Sequence, residues 1–542
     1  MKIFSIKNIV SICVLSLTLF ACTPKDELVS LKDIAPKNST LVLWCGDADD
    51  WATLRDKAEY KALITALKQN AKVQAQLKEF LNNANKETNG ISSLFLSKDD
   101  PVASFENLYW NAFDEFLFYT ENSFSEKTKQ PKFAFVLRGK DKTFFQNVKT
   151  ALNKTEQAKP HTIGTNECFM FADKNIKIYV SVKSNYIVIS DFENMVLSVF
   201  NSIKTKPAES ILNNEKFSKL SDNKFGQFFA YISSDIISNS VKDAKSVKDE
   251  IDAVYMDIFA SPKKECETFN LKIAFNEKSK IIKSLKDAKL PVAHTPIALP
   301  KSEIYLHIAM PIITEEILKS YNADPMIVGM TMGILPILKN IKSVETSVIN
   351  YNTANQTMLY NLYVDNVDAL LQSQILSMYM MQFGFEKKVV SGVECFITPA
   401  LKNVYIVKVS DKQLSIVVGK DTDVAIKCAT AKIKPEQSAY FSKMNVSENL
   451  FFKSYTNWEF AKDEFENIKE IRKVIYAINK ENLNESIKYE VVITTLELML
   501  KMYKECQIVD YIQINNNILK YNSQAKTETT LEPLIDFVKN YK

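Results

Sequence analysis

Asp47, Asp49 and Asp50 crowd into four positions, the one place where acidic side chains are dense enough to suggest a cation. A calcium loop, however, needs acids at alternate positions, a glycine at the sixth and a glutamate at the twelfth. Here Gly46 precedes the acids. Acids at that spacing serve better at a helix start, where they accept free N–H groups and complement the dipole. Thr314-Glu-Glu316 reads the same way further along the chain. His161, seven residues before Cys168, has the composition of a thiol–imidazole pair but no recognisable third member. The chain has only three histidines, His161, His294 and His307, which leaves little for imidazole metal sites or triads. Ten glycines in 542 residues, against an average near ~7%, make phosphate-cradling loops improbable. No metal or cofactor is expected.

Ser221-Asp222-Asn223 and Ser261-Pro-Lys-Lys264 resemble two elements of penicillin-interacting enzymes. They stand in the wrong order, and the third element, K-T-G, is missing. No G-x-S-x-G and no H-E-x-x-H occurs. Whether the chain is an enzyme stays open, with a non-enzymatic role favoured. Sixty-eight basic against 64 acidic residues give no concentrated basic face, so a nucleic-acid partner is not expected.

At the N-terminus, Lys2 and Lys7 precede a twelve-residue apolar run, Ile9 to Phe20. That is too short for a bilayer, which takes ~20 residues, and suits a signal peptide. Leu19-Phe20-Ala21-Cys22 resembles the bacterial lipobox, whose cysteine is lipidated and becomes the mature N-terminus. The alternative is an ordinary secretory signal with an incidental cysteine. Lys25-Asp26-Glu27 resembles the Lys-(Asp/Glu)-(Asp/Glu) export tag that carries lipoproteins of the Bacteroidetes to the outer face of the outer membrane. Equally, it reads as part of a solvated tether. Residues 1–21 are thus expected as signal peptide and 22–33 as a flexible leash of up to ~40 Å.

Behind the leash the sequence repeats itself. Ile34–Leu43 aligns with Ile297–Leu306, Glu167–Met170 with Glu394–Ile397, and Lys204–Pro207 with Lys432–Pro435. Phe217–Leu220 aligns with Phe441–Met444, and Lys264–Cys266 with Lys504–Cys506. Strand and helix patterns between these matches agree. A strand opens each half (40–44, 303–307), then a helical region, a hairpin, a helix, three close strands, a further helix and strand, and a closing hairpin. Trp44 and His307 hold equivalent places in the opening strands and are expected as core. Strands in runs broken by helices predict an α+β fold. Each half should be a mainly antiparallel sheet with helices on one face, as two duplicated domains, 34–290 and 301–542, joined by the proline-rich 291–300.

The lipobox, the early first strand and the long α+β repeats together resemble a group of bacterial envelope lipoproteins. That resemblance implies envelope localisation, with the membrane reached through Cys22, and carries no catalytic residues. The expected function is that of a lipid-anchored, outer-membrane protein, surface-facing where Lys25-Asp26-Glu27 acts as an export tag, that binds or scaffolds an envelope protein or polymer. The alternative is an envelope-polymer hydrolase using scattered carboxylates. Four cysteines sit in the repeated motifs, so Cys168–Cys266 and Cys395–Cys506 are the expected bridges if the thiols oxidise. Cys45 and Cys428 lack counterparts and are expected as buried apolar thiols; the alternative is that all six downstream cysteines are small, reduced core residues.

Overall fold

The structure, a computed structural model, describes residues 29–46, 57–87, 99–107, 113–124, 131–140, 142–173, 176–205, 209–222, 224–236, 250–259, 267–286, 302–310, 337, 340–349, 357–390, 392–401, 403–419, 426, 430, 450–457, 497–498 and 501–541. They form a mixed helix and strand protein dominated by antiparallel sheet. Two compact units divide the chain: the first runs to Ala274 and takes back Thr530–Lys542, and the second is Phe275–Thr529. The end of the chain thus belongs to the first unit. The 291–300 segment lies outside the described residues.

The first unit contains β1 (Ser39–Cys45), β2 (Phe113–Phe124), β3 (Pro131–Gly139), β4 (Lys159–Ile163), β5 (Asn166–Asp173), β6 (Ile176–Lys183), β7 (Tyr186–Ser190), β8 (Phe228–Ser233), β9 (Ile251–Phe259) and β10 (Glu267–Phe275). Their order across the sheet is β4-β5-β6-β7-β3-β2-β1-β8-β9-β10. The second unit contains β11 (Ser302–Ala309), β12 (Ile341–Ile349), β13 (Thr357–Val364), β14 (Glu386–Val390), β15 (Val393–Ile397), β16 (Val404–Ser410), β17 (Gln413–Gly419), β18 (Leu450–Asn457), β19 (Tyr503–Asn515) and β20 (Ile518–Thr529). Its order is β14-β15-β16-β17-β13-β12-β11-β18-β19-β20. The two orders coincide place for place, with β1 and β11 at equivalent positions.

Local chemistry explains the meanders. Two-residue hairpin loops favour left-handed residues because their twist matches that of the strands. Gly164 (φ +60°), Ser184 (φ 54°), Gly392 (φ +79°) and Asn516 (φ 54°) each stand in such a loop. The strand faces are rich in Phe, Tyr, Ile and Val, which fit a pleated, buried surface.

The helices are α1 (Ala58–Gln69), α2 (Ala71–Glu87), α3 (Pro101–Asn107), α4 (Lys142–Lys154), α5 (Glu193–Lys204), α6 (Glu215–Ser221), α7 (Lys280–Lys286), α8 (Val367–Leu371), α9 (Gln374–Gln382) and α10 (Glu532–Asn540). In the first unit they cover both faces, not the single face expected. Phe145, Val148 and Leu152 of α4 join Phe116, Phe118, Phe135 and Ile187 in one core. Phe217 of α6 meets the rings of Phe229, Tyr231 and Tyr255, which alternate to the opposite face. Helix α1 turns Leu63, Ala66 and Leu67 toward Ile535 and Val538 of α10. Glu59 accepts from Thr530 Oγ1 (2.9 Å) and Leu531 N (3.2 Å), and Asn70 Nδ2 donates to Val538 O (2.6 Å) and Tyr541 O (3.0 Å). Both ends of α10 are thereby pinned.

Candidate functional sites: a strap in the first unit and a polar row in the second

The leash expected over 22–33 is not free throughout. Leu31–Ile34 forms a single 3-10 turn with Leu31 and Ile34 buried. Arg138 on β3 organises the segment before it. Its guanidinium lies 2.9 Å from the buried Glu115 carboxylate and 2.8 Å from Asp114, and donates to Val29 O at 3.1 Å. Glu115 in turn accepts from Ser30 Oγ (2.5 Å) and from Leu31 N (2.9 Å). Burial pushes the Glu115 carboxyl above its ordinary range, and the Arg138 charge pulls it back down. Lys32 lies over the Trp44 ring at 4.8 Å, and Ile211 N donates to Ala35 O at 2.7 Å. Gly46 makes room for Glu115, since a Cβ there would stand 2.5 Å from the Glu115 Cγ. The chain from Val29 onward is thus a strap fastened to β2 and β3. From Cys22 to Val29 the span is about 25 Å when fully extended, not ~40 Å.

The second unit holds a different arrangement at an equivalent row of its sheet. Directly opposed residues on antiparallel neighbours share a face. In the first unit Val188, Val136, Leu117, Trp44 and Phe229 face one another in sequence across β7, β3, β2, β1 and β8. All five are buried, and Trp44 stacks on Phe229 at 5.4 Å. The second unit's row across β17, β13, β12, β11 and β18 reads Ser415, Asn361, Glu345, His307 and Lys453. The first four are as buried as their apolar counterparts.

Glu345 is the centre of this row. Its carboxylate accepts from Tyr305 OH, Tyr363 OH and Asn361 Nδ2, each at 2.8 Å. Ser415 Oγ reaches Asn361 Oδ1, and His307 Nε2 lies 3.0 Å from Ser343 Oγ. Burial raises the Tyr305 and Tyr363 phenols well above their ordinary range, and the Glu345 charge adds to it, so both stay protonated donors. Lys453 Nζ lies 5.8 Å from the Tyr305 ring centroid. Burial lowers its ammonium, and Glu345 opposes that shift. With both carboxylate oxygens engaged, the row's evident effect is to lock the register of five strands, because a one-residue slip would move every partner to the other face.

The expected site residues are placed as follows. Cys22, Lys25, Asp26 and Glu27 lie outside the described residues, as do Asp47, Asp49, Asp50, Asn223 and Ser261–Lys264. Ser221 is buried at the end of α6, and Asp222 caps that helix in the left-handed region while pairing with Lys272 at 2.7 Å. Cys168 and His161 do stand opposite each other on β5 and β4. The imidazole, however, turns to Glu193 Oε1 (3.1 Å), and burial raises the Cys168 thiol, the reverse of an activated nucleophile.

The bridges expected at Cys168–Cys266 and Cys395–Cys506 are corrected by the strand order. Cys168 and Cys395 are free, buried thiols at equivalent places on β5 and β15, each donating to the carbonyl two residues back. Cys506 belongs to β19, seven places from β15 in the strand order. Cys266 lies outside the described residues. The Lys-Glu-Cys match is also out of step: Cys266 precedes β10, whereas Cys506 opens the strand in the place of β9.

A glycosidase-like hydrolase needs two carboxyl groups facing one cleft. Asp114 and Glu115 both serve Arg138, and the oxygens of Glu345 are taken. Among the described residues no group of three or more His, Cys, Asp and Glu is placed to hold a metal, and no helix is long and apolar enough to cross a membrane. Compared with protein-family models and with curated proteins, the chain matches none.

Proposed function

We propose that this chain is a lipid-anchored protein of the bacterial envelope, attached through Cys22, whose two units are copies of one α+β fold and serve a non-enzymatic binding or scaffolding role. The anchoring rests on Leu19-Phe20-Ala21-Cys22, and the strap behind it is compatible with a tether. A chain held by its first residue gains a defined stand-off only where the segment behind that residue is fastened, and Val29–Ile34 is fastened at both backbone and side chain. The coincident strand orders, and the buried Cys168 and Cys395 on equivalent strands, support common descent of the units. Replacement of an apolar row by a hydrogen-bonded polar one supports divergence after copying.

The outer-membrane, outward-facing placement rests on Lys25-Asp26-Glu27. Protease added to whole cells should degrade the protein, and replacing those three residues by alanine should protect it. Wild-type protein that survives protease on intact cells, yet is cut once the outer membrane is opened, would overturn the outward placement.

A further inference from the structure

Helices α4 and α9 occupy equivalent positions, each between the third strand of its unit and the following meander. The outer side of α4 is polar, with Lys142, Thr143, Gln146, Asn147 and Thr150 in solvent. The outer side of α9 is not. Met378, Tyr379 and Met381 are 52%, 50% and 76% exposed, and Phe383 just beyond is 37% exposed. The opposite side of the α8–α9 segment is packed through Val367, Leu370 and Leu376. Exposed Met and Tyr side chains on a helix already packed on its inner side belong in an interface.

The strand that follows adds a second, independent feature. Among the described residues β14 pairs only with β15, and no described strand lies on its other edge. Edge strands are ordinarily guarded. β4, in the same place of the first unit, carries Pro160, which removes a donor, while β14 has no proline and leaves Val389 69% exposed.

We propose that the β14 edge and the outer side of α9 form a two-fold interface with a second copy of this chain, the two β14 strands pairing antiparallel about Lys387. The charge pattern selects this occupant and register. Centred on Lys387, Glu386 stands opposite Lys388 of the second copy, and Lys388 opposite its Glu386, forming two complementary pairs on one face. On the other face Val389 meets Phe385 of the second copy. The central lysines are each neutralised by their own Glu394, 2.7 Å away. The existing contact of Lys388 with Glu386, at 3.3 Å along one strand, is exchanged for the cross-strand pairs. Closed two-fold dimers of this kind are the commonest assembly.

The test uses the chain expressed without residues 1–22, which removes both the apolar Ile9–Phe20 run and the cysteine expected to carry lipid. Light scattering should give twice the mass of one such chain, and Met381→Glu with Val389→Lys should return it to one. Oxidation of Lys387→Cys should produce a cross-linked dimer, because opposed Cα atoms lie ~4.5–5.5 Å apart, within disulfide reach. Val389→Cys should not cross-link to itself, the two positions being about 14 Å apart in that register. A monomer at every concentration tested, or cross-linking at 389 rather than 387, overturns the proposal.

Discussion

Replacing Arg138 by methionine isolates what holds the strap. Methionine keeps much of the volume and apolar stem while removing a guanidinium that touches Glu115 at 2.9 Å, Asp114 at 2.8 Å and Val29 O at 3.1 Å. The Glu115 side chain is only 5% exposed, so its carboxylate would be left buried with two hydrogen-bond donors and no counter-charge. Removing one partner of such a pair costs about 3–5 kcal/mol. The effect should depend on pH with a definite sign. Burial already raises the Glu115 carboxyl, and Arg138 is the largest influence lowering it. Without Arg138 it rises further, so the folded state binds the proton more tightly than the unfolded state does. Stability is then fully present below the unfolded value, about 4.3, and is lost as pH rises through the higher folded value. The variant's deficit should therefore be large at neutral pH and shrink on acidification. Adding Glu115→Gln should recover part of it at neutral pH. Hydrogen exchange at the Leu31 amide, which donates to Glu115, reads strap opening directly. A deficit below ~1 kcal/mol, or one that does not change between acid and neutral pH, would refute the reasoning.

Gly46→Ala should loosen the same strap, because its Cβ would fall 2.5 Å from Glu115 and 2.8 Å from Trp44; faster exchange at Leu31 is the check. Glu345→Leu should destabilise the second unit by several kcal/mol in denaturant titrations, because it removes three hydrogen bonds to a charged acceptor, from Tyr305, Tyr363 and Asn361, at about 1.5–3 kcal/mol each. Adding Asn361→Val and His307→Trp, the residues of the first unit's row, should recover part of that loss, whereas a further additive loss would mean the rows are not equivalent. Cys168 and Cys395 should resist a thiol reagent in the native protein and react only after denaturation; fast labelling would contradict their burial.

Much of the strand plan was legible because it rests on local signals. Thr40–Trp44, Tyr186–Ser190 and Gln227–Ile232 are β-branched and aromatic runs between turn residues, and each lies within or against an observed strand. β4 and β14 were missed: Lys-Pro-His-Thr-Ile and Glu-Lys-Lys-Val-Val are short edge strands with no apolar alternation. The row around Glu345 was hidden for a different reason. In Val344-Glu-Thr-Ser-Val348, alternation marks Val344 and Val348 as inward and Glu345 as outward, a rule for sheets with one wet face. Glu345 is nonetheless buried, through partners on β11 and β13 that no local window contains. The strap has no local signal, because Ser30 and Leu31 owe their order to Glu115 and Arg138, more than eighty residues downstream. The bridges failed because repeated cysteines mark equivalent strands, not neighbouring ones.

Anchoring at Cys22 is the claim on which localisation and the meaning of the strap depend, and mass spectrometry of the mature N-terminus tests it most directly. Protein isolated from envelopes should begin at Cys22, carry fatty-acyl mass on its N-terminal peptide, and take up labelled palmitate that Cys22→Ala does not. An N-terminal peptide that begins elsewhere, or begins at an unmodified Cys22, would contradict the account.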